Sequence, residues 1–561
     1  MGVRRRPRSE ARLDPETAEY FRRALETLEE GLSPAELALF APNVLAEAVS
    51  AMPEAALDAW GSRVLQALVP RAPLGTLGRL LSPLVSGGLG GPPGHPLGAR
   101  VLEAALGRVL PALWEEEEEE EEEEEAARNV VVEAVGQLAA AVRDDLVAFA
   151  QHPAGSFVVR VLLQVLGGEP EAGAAQVGSR PKDEGAWPKD KGAWPKDKGA
   201  WPKDKGAWLP PSFPPLLDQL AQAFEAHLPS LRAPAAASLC LQVALQVLHL
   251  SRPDTCARLC DAIVGGSGGS LLLGLQDPEG SRLLEAAVRV AEPPVLRRLF
   301  LQLRGNLRAL ARHRVANHGL QRLLERGPED VIQGVLSELG PALSEPLARG
   351  HPGVLTALMG ACRRFLPLQQ EALRSLLQAF GCWEPPERRQ SCLGPLATLR
   401  PLGDTEGTDP EAALSATGLH GSLLLQHLLH FGDPGPILRA LVALSPSALV
   451  ALAQSPPGSH VWDALLASPA VPARTRRRLL RKLEGHYLSL ARHRNGSRVL
   501  DAVWAAAPGV TRSSIARELA PQRQALLRDP HGRSIALALT GQKLSPPPKR
   551  PRDPREDPLE D

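Results

Sequence analysis

The sequence predicts an all-α fold, an α-solenoid in which about eleven short helical repeats stack into one curved superhelix. Three observations predict it: a composition rich in Leu and Ala but poor in aromatics, a six-residue motif returning at a nearly constant interval, and apolar positions stepping by three and four between its copies. Of 561 residues, 44% are apolar, enough for most of the chain to fold, while only 4% are aromatic and Tyr occurs twice. Strands favour aromatic and β-branched side chains, so the profile suits packed helices. The 54 prolines and 50 glycines then read as punctuation between many short helices.

The motif follows a loop rich in His, Pro and Gly. It runs small residue, small polar residue, large or basic residue, two apolar residues, then Gln, Glu or Asp. Copies stand at 61–66 (GSRVLQ), 98–103 (GARVLE), 155–160 (GSFVVR), 237–242 (ASLCLQ), 280–285 (GSRLLE), 316–321 (ANHGLQ), 421–426 (GSLLLQ), 458–463 (GSHVWD) and 496–501 (GSRVLD), with weaker ones beginning at Gly353 and Arg533. Ser62 to Ala99 is 37 residues, Ser281 to Asn317 and Asn317 to Gly353 are 36 each, and Ser422 to Ser459 is 37. A period near 36 fits two or three short helices. The preceding segments, such as 303–313 (LRGNLRALARH) and 483–493 (LEGHYLSLARH), carry the apolar steps of a packed helix.

Longer intervals mark insertions, expected to be disordered, near 115–125 (an unbroken run of Glu), 168–212 and 384–412. The second holds four tandem copies of a PKDKGAW-like unit, with Trp187, Trp194, Trp201 and Trp208. The domain reading is a short basic tail at 1–14, the repeat array at 15–541 and a Pro-rich charged tail at 542–561, where Lys549-Arg550-Pro551-Arg552 resembles a nuclear-localisation element. The net charge of −1 conceals segregation: without the Glu run the chain is at about +10, so near-neutrality does not argue against a nucleic-acid partner.

If the motif opens the second helix of each repeat, Ser62 and Gln66 lie one turn apart on one face, and Arg63 flanks that face. Stacked repeats then line one surface with polar pairs separated by flat or basic side chains. That arrangement suits single-stranded RNA, whose base edges take hydrogen bonds while the intervening side chains stack between bases. The candidate RNA-binding residues are Ser62, Arg63 and Gln66; Arg100 and Glu103; Ser156, Phe157 and Arg160; and Ser238 and Gln242. They continue with Ser281, Arg282 and Glu285; Asn317, His318 and Gln321; Ser422 and Gln426; Ser459, His460 and Asp463; and Ser497, Arg498 and Asp501.

At these residues the sequence resembles the Pumilio (Puf) RNA-binding family. Longer segments resemble one branch of it, the nucleolar protein nine family: 155–168 (GSFVVRVLLQVLGG), 238–249 (SLCLQVALQVLH), 351–364 (HPGVLTALMGACRR), 421–431 (GSLLLQHLLHF), 452–465 (LAQSPPGSHVWDAL) and 496–504 (GSRVLDAVW). The resemblance runs from about Leu13 to Leu539, outside the insertions. It implies about eleven Pumilio-like repeats in a C-shaped array and a location in the nucleus and nucleolus. It also implies binding of single-stranded and partly structured pre-rRNA during maturation of the small-subunit (18S) RNA, among proteins of the small-subunit pre-ribosomal particle. In the Puf pattern Ser62/Gln66 corresponds to adenine, Ser281/Glu285 to guanine and Asn317/Gln321 to uracil. Ser156/Arg160, Ser459/Asp463 and Ser497/Asp501 depart from the familiar pairs, and Gly353 and Arg533 open copies without a pair. These departures point to looser recognition, partly by shape and charge.

No nucleotide loop, nucleophile elbow or metal-ligand cluster is present, so no enzyme, metal or cofactor is expected. Cys240, Cys256, Cys260, Cys362, Cys382 and Cys392 fall in apolar helical patterns and read as reduced core residues of an intracellular protein. No apolar run is long enough to span a membrane, and the expected state is a soluble monomer. His152, His313 and His493, each just before a motif, read as helix-end structural residues. The competing readings are a peptide-binding α-solenoid adaptor, which leaves the repeated triplet unexplained, and a cytoplasmic message-binding Puf regulator, which has fewer and cleaner repeats.

Overall fold

The computed structural model describes residues 13–115, 121–169, 209–265, 268–405, 407 and 409–539. The described residues are helical throughout, without strands, and divide into two compact units at Gln302/Leu303. Each unit is a solenoid of stacked helices. In the first, the motif helices Ala59–Leu68, Pro96–Trp114, Gly155–Leu166, Ala235–Ser251 and Pro278–Val290 pack each on the next. In the second the row is Ala316–Arg326, Pro352–Cys362, Leu419–Leu429, Ser459–Ala467, Arg494–Ala506 and Arg533–Ala538, again in series.

A complete repeat has three helices, as in Tyr487–Arg492, Arg494–Ala506 and Gly509–Leu519. The motif opens the middle one. Its small first residue is a packing requirement: a Cβ on Gly421 would lie 2.1 Å from the Ala397 carbonyl oxygen, and one on Gly61 would lie 2.4 Å from that of Ala55. The apolar pair inside the motif is buried, as Val64 and Leu65 or Val499 and Leu500 illustrate.

The segment 483–493 is not one helix. Gly485 takes φ +85° and breaks it, leaving the six-residue Tyr487–Arg492. The Glu518 carboxylate, from the third helix, accepts the Gly485 and Tyr487 N–H groups at 2.8 Å each, satisfying donors that the short helix leaves free. Glu338 does the same for Gly305 and Leu307, both at 2.8 Å.

Two expected disordered insertions are corrected in the part of each that is described. The stretch 384–412 forms Leu393–Thr398, Leu402–Thr405 and the start of Pro410–Ser415, because Cys392, Leu396, Ala397 and Leu414 are buried and its Pro and Gly separate short helices. Glu122–Glu125 lie in the first turns of the Glu121–Asp144 helix, where carboxylates complement the helix dipole and Glu124 pairs with Arg128. Residues 116–120, the tandem array at 181–208 with its four tryptophans, and most of both tails lie outside the described residues. All six cysteines are buried with free thiols. No single helix among the described residues is long and apolar enough to cross a membrane.

A row of polar pairs along the motif helices

The N-terminus of the motif helices is held by a recurring cap. His152 Nδ1 accepts the N–H groups of Ala154 and Gly155 at 3.2 Å, His313 those of Val315 and Ala316 at 3.2 Å, and His493 those of Asn495 and Gly496 at 3.2 and 3.3 Å. This is the helix-end role that the sequence assigns to these histidines. Accepting through Nδ1 requires the neutral ring with its proton on Nε2. Asp58, Asp277 and Asp529 occupy the same place in other repeats, donating nothing and accepting two N–H groups each. Sequence reasoning missed these aspartates, although each stands three residues before the motif's first Gly or, for Asp529, before Gly532.

Every predicted first-position side chain is buried or half-buried. In four repeats it is hydrogen-bonded to the predicted partner one turn on: Gln242 Nε2 donates to Ser238 Oγ (3.2 Å), Ser281 Oγ donates to Glu285 (2.8 Å), Gln321 Nε2 donates to Asn317 Oδ1 (2.8 Å) and Gln426 Nε2 donates to Ser422 Oγ (2.9 Å). Ser422 in turn donates to the Pro457 carbonyl of the next repeat at 2.5 Å. The i, i+4 spacing thus produces paired side chains, two pairs in each unit.

The remaining copies diverge from this pairing. Gln66 and Arg160 bond the backbone carbonyls of Ser62 and Ser156 instead, at 3.0 and 3.2 Å. Asp463 and Asp501 are one methylene shorter than Glu and do not reach back. Asp463 meets His460 at 3.2 Å, while burial raises the Asp501 carboxyl, opposed by a bond from Ser534. Ser459 and Ser497 bond carbonyls of their own turns. Gly353 has no side chain to offer, and a Cβ there would stand 2.6 Å from Gln321 Oε1 of the preceding repeat, so the Gln321 amide would have to move.

The flanking position projects outward in most copies. Arg63, Arg100, Phe157, His318, His460 and Arg498 are exposed, and Arg282 is half-buried beside Glu279 at 3.2 Å. Arg63 reaches Glu29 at 2.8 Å, and Arg160 lies over the Phe157 ring at 4.3 Å. Leu239 and Leu423 are only partly exposed and Val354 is buried, so the flanking residue varies in reach along the row.

Glu103 and Arg160 electrostatically link the second and third motif helices. Burial raises the Glu103 carboxyl, with Arg160 and Arg100 opposing it, and burial lowers the Arg160 guanidinium. One Glu103 oxygen is buried without a hydrogen-bond partner, as is Gln242 Oε1. Among the described residues no group of His, Cys, Asp and Glu is arranged to hold a metal ion.

A family profile described as a NOP9-like PUF repeat domain matches residues 98–534. Nucleolar protein 9 of Homo sapiens is 42% identical over 566 residues, spanning 95% of this chain and 88% of the human one. Nucleolar protein 9 of Mus musculus is 41% identical over 571 residues with the same coverage. The structures of APUM23-GGAGUUGACGG and APUM23-GGAAUUGACGG align with TM-scores of 0.74 and 0.73 at 22% identity, covering 94% of this chain and 97% of theirs. At that identity the likeness concerns the fold.

Proposed function

The chain belongs to the NOP9-like PUF repeat family, and from that premise we propose that its motif helices hold pre-rRNA during maturation of the small-subunit (18S) RNA. An RNA-binding protein of the nucleolus follows from the family itself, whose members work by binding rather than catalysis. The finer reading is ours. Single-stranded and partly structured pre-rRNA is the ligand, proteins of the small-subunit pre-ribosomal particle are the neighbours, and the chain acts as a monomer.

The observation that carries this reading is the row of hydrogen-bonded pairs at one helical phase, two of them flanked by Arg282 and His318 and two by the partly exposed Leu239 and Leu423. A bonded pair is pre-oriented, so little side-chain entropy is lost when a base edge arrives. Glu285, Gln321 and Gln426, which are partly exposed, then present their remaining polar atoms, and where the flanking group is flat or cationic, as at Arg282 and His318, it stacks on the base. Such stacking contributes roughly 1–3 kcal/mol per base. The irregular copies, with Asp463, Asp501 and Gly353 in place of a complete pair, hold the backbone without reading every base.

Ultraviolet crosslinking of the tagged protein in cells, followed by sequencing of the attached RNA, tests the ligand. Enrichment over pre-rRNA around the small-subunit RNA is expected. Reads spread over messenger 3′ ends would instead make the protein a message regulator. In vitro, changing Ser281, Arg282, Glu285, Asn317, His318 and Gln321 together to Ala should abolish most of the affinity for single-stranded RNA. Unchanged affinity would return the reading to a peptide-binding solenoid.

A further inference from the structure

Behind the row in the second unit, the helix Ala473–Arg481 (ARTRRRLLR) carries five arginines and no acidic residue in nine positions. At about 100° per residue, Arg474, Arg477, Arg478 and Arg481 fall within an arc of about 100°, a single stripe. Leu479, Leu480 and Arg476 lie on the other side. Both leucines are buried, and Arg476 donates to the carbonyl oxygens of Leu465 at 3.4 Å and Ser468 at 2.9 Å, at the end of the Ser459–Ala467 motif helix. The fifth arginine is therefore used for packing, and the stripe faces away from the motif helix.

All four stripe arginines are exposed, and among the described residues none has an ion pair. The nearest carboxylate along the chain, Glu484, sits in the turn beyond and does not pair with them. Outer helices do not share this composition: Glu329–Leu339, in the same position of an earlier repeat, carries Glu329, Asp330 and Glu338. Four like charges on one face repel one another, and nothing in the fold requires them.

We propose that this stripe is a second RNA-contacting surface, taking the sugar–phosphate backbone of RNA that flanks the segment held on the motif helices. The proposal rests on the RNA-binding reading above and adds a second contact site to it. Guanidinium groups make forked hydrogen bonds to phosphate, and phosphate contacts need no apolar anchor. A protein partner would need one, since interfaces are built around buried aromatic or aliphatic groups. The exposed face of this helix offers none, because its leucines are turned inward. The stripe spans about 10 Å of helix axis, enough to meet two or three consecutive phosphates.

The test compares the full chain with its R474A/R477A/R478A/R481A variant by fluorescence anisotropy. The probes are a single strand of about 10 nucleotides and an RNA of about 40 nucleotides that extends the same strand with a stem, titrated from about 50 to 200 mM salt. The short strand should bind both proteins equally. The longer RNA should bind the variant at least about tenfold more weakly, with a salt dependence shallower by about 2–3 in log–log slope. A fourfold Arg→Lys variant should keep the slope, since the charge remains. Equal affinity and slope on the longer RNA would overturn the proposal. Unchanged RNA binding with lost affinity for a Glu-rich peptide would overturn it in favour of a protein partner. Failure of the unaltered chain to bind either RNA would instead sink the RNA reading as a whole, so the two failures are separable. Thermal unfolding controls for folding, and the midpoint should not fall, because the four side chains are exposed and like-charged.

Discussion

Replacing Gly353 by Ala should leave the fold intact while damaging RNA binding in the neighbouring repeat. The added Cβ would lie 2.6 Å from Gln321 Oε1, 2.8 Å from Nε2 and 2.9 Å from Cδ. An unstrained contact is about 3.5–4.0 Å, so the amide must retreat by about 1 Å. That retreat breaks the 2.8 Å bond from Gln321 Nε2 to Asn317 Oδ1. A part-buried hydrogen bond contributes about 1 kcal/mol net. Against this, Ala replaces Gly inside the Pro352–Cys362 helix, which stabilises by about 0.5–1 kcal/mol. The two terms nearly cancel, and the clashing group is the movable end of a side chain, so the unfolding midpoint should shift little. A misaligned pair, however, loses about 1–3 kcal/mol of base recognition, or roughly tenfold in affinity. Differential scanning fluorimetry and fluorescence anisotropy with a single-stranded RNA measure the two effects on one preparation. A clear fall in stability with unchanged binding would refute the reasoning, because it would make position 353 a packing site and the Asn317–Gln321 pair irrelevant to RNA.

Other consequences follow from single contacts. Glu518→Ala removes the acceptor for the Gly485 and Tyr487 N–H groups and should cost about 2 kcal/mol in urea denaturation, whereas a loss below the error of the measurement would show that water replaces the carboxylate. Burial, then the charges of Arg363 and His430, push the His427 imidazole down to about 4. Its folded pKa lies below the unfolded value, so stability should be complete above about pH 6.5 and fall as pH drops toward 4, by up to about 2–3 kcal/mol; an imidazole titrating near 6.5 by NMR would contradict this. Arg476→Ala should lower the unfolding midpoint by several degrees, because carbonyls at the end of Ser459–Ala467 lose their donor, in contrast to the neighbouring stripe arginines.

The helical class, the repeat period and the phase of the candidate pairs were legible in the sequence. Each follows from local geometry: an i, i+4 relation places Ser238 beside Gln242 and Asn317 beside Gln321 whatever the surroundings. The histidine caps were legible for the same reason, since a cap acts within three residues. Tertiary structure decided what depends on neighbours distant in the chain. Proximity of Gln321 decides what a side chain at position 353 would disturb, and burial of Leu396 and Leu414 explains why the Pro- and Gly-rich stretch 384–412 contains short packed helices. Packing also sets the fate of each arginine. Arg476 and Arg477 are adjacent and chemically identical, yet one is turned to the carbonyls of a motif helix and the other to solvent. A charge pattern along a chain fixes which residues share a face, but only the packed neighbours determine which face is left free to bind.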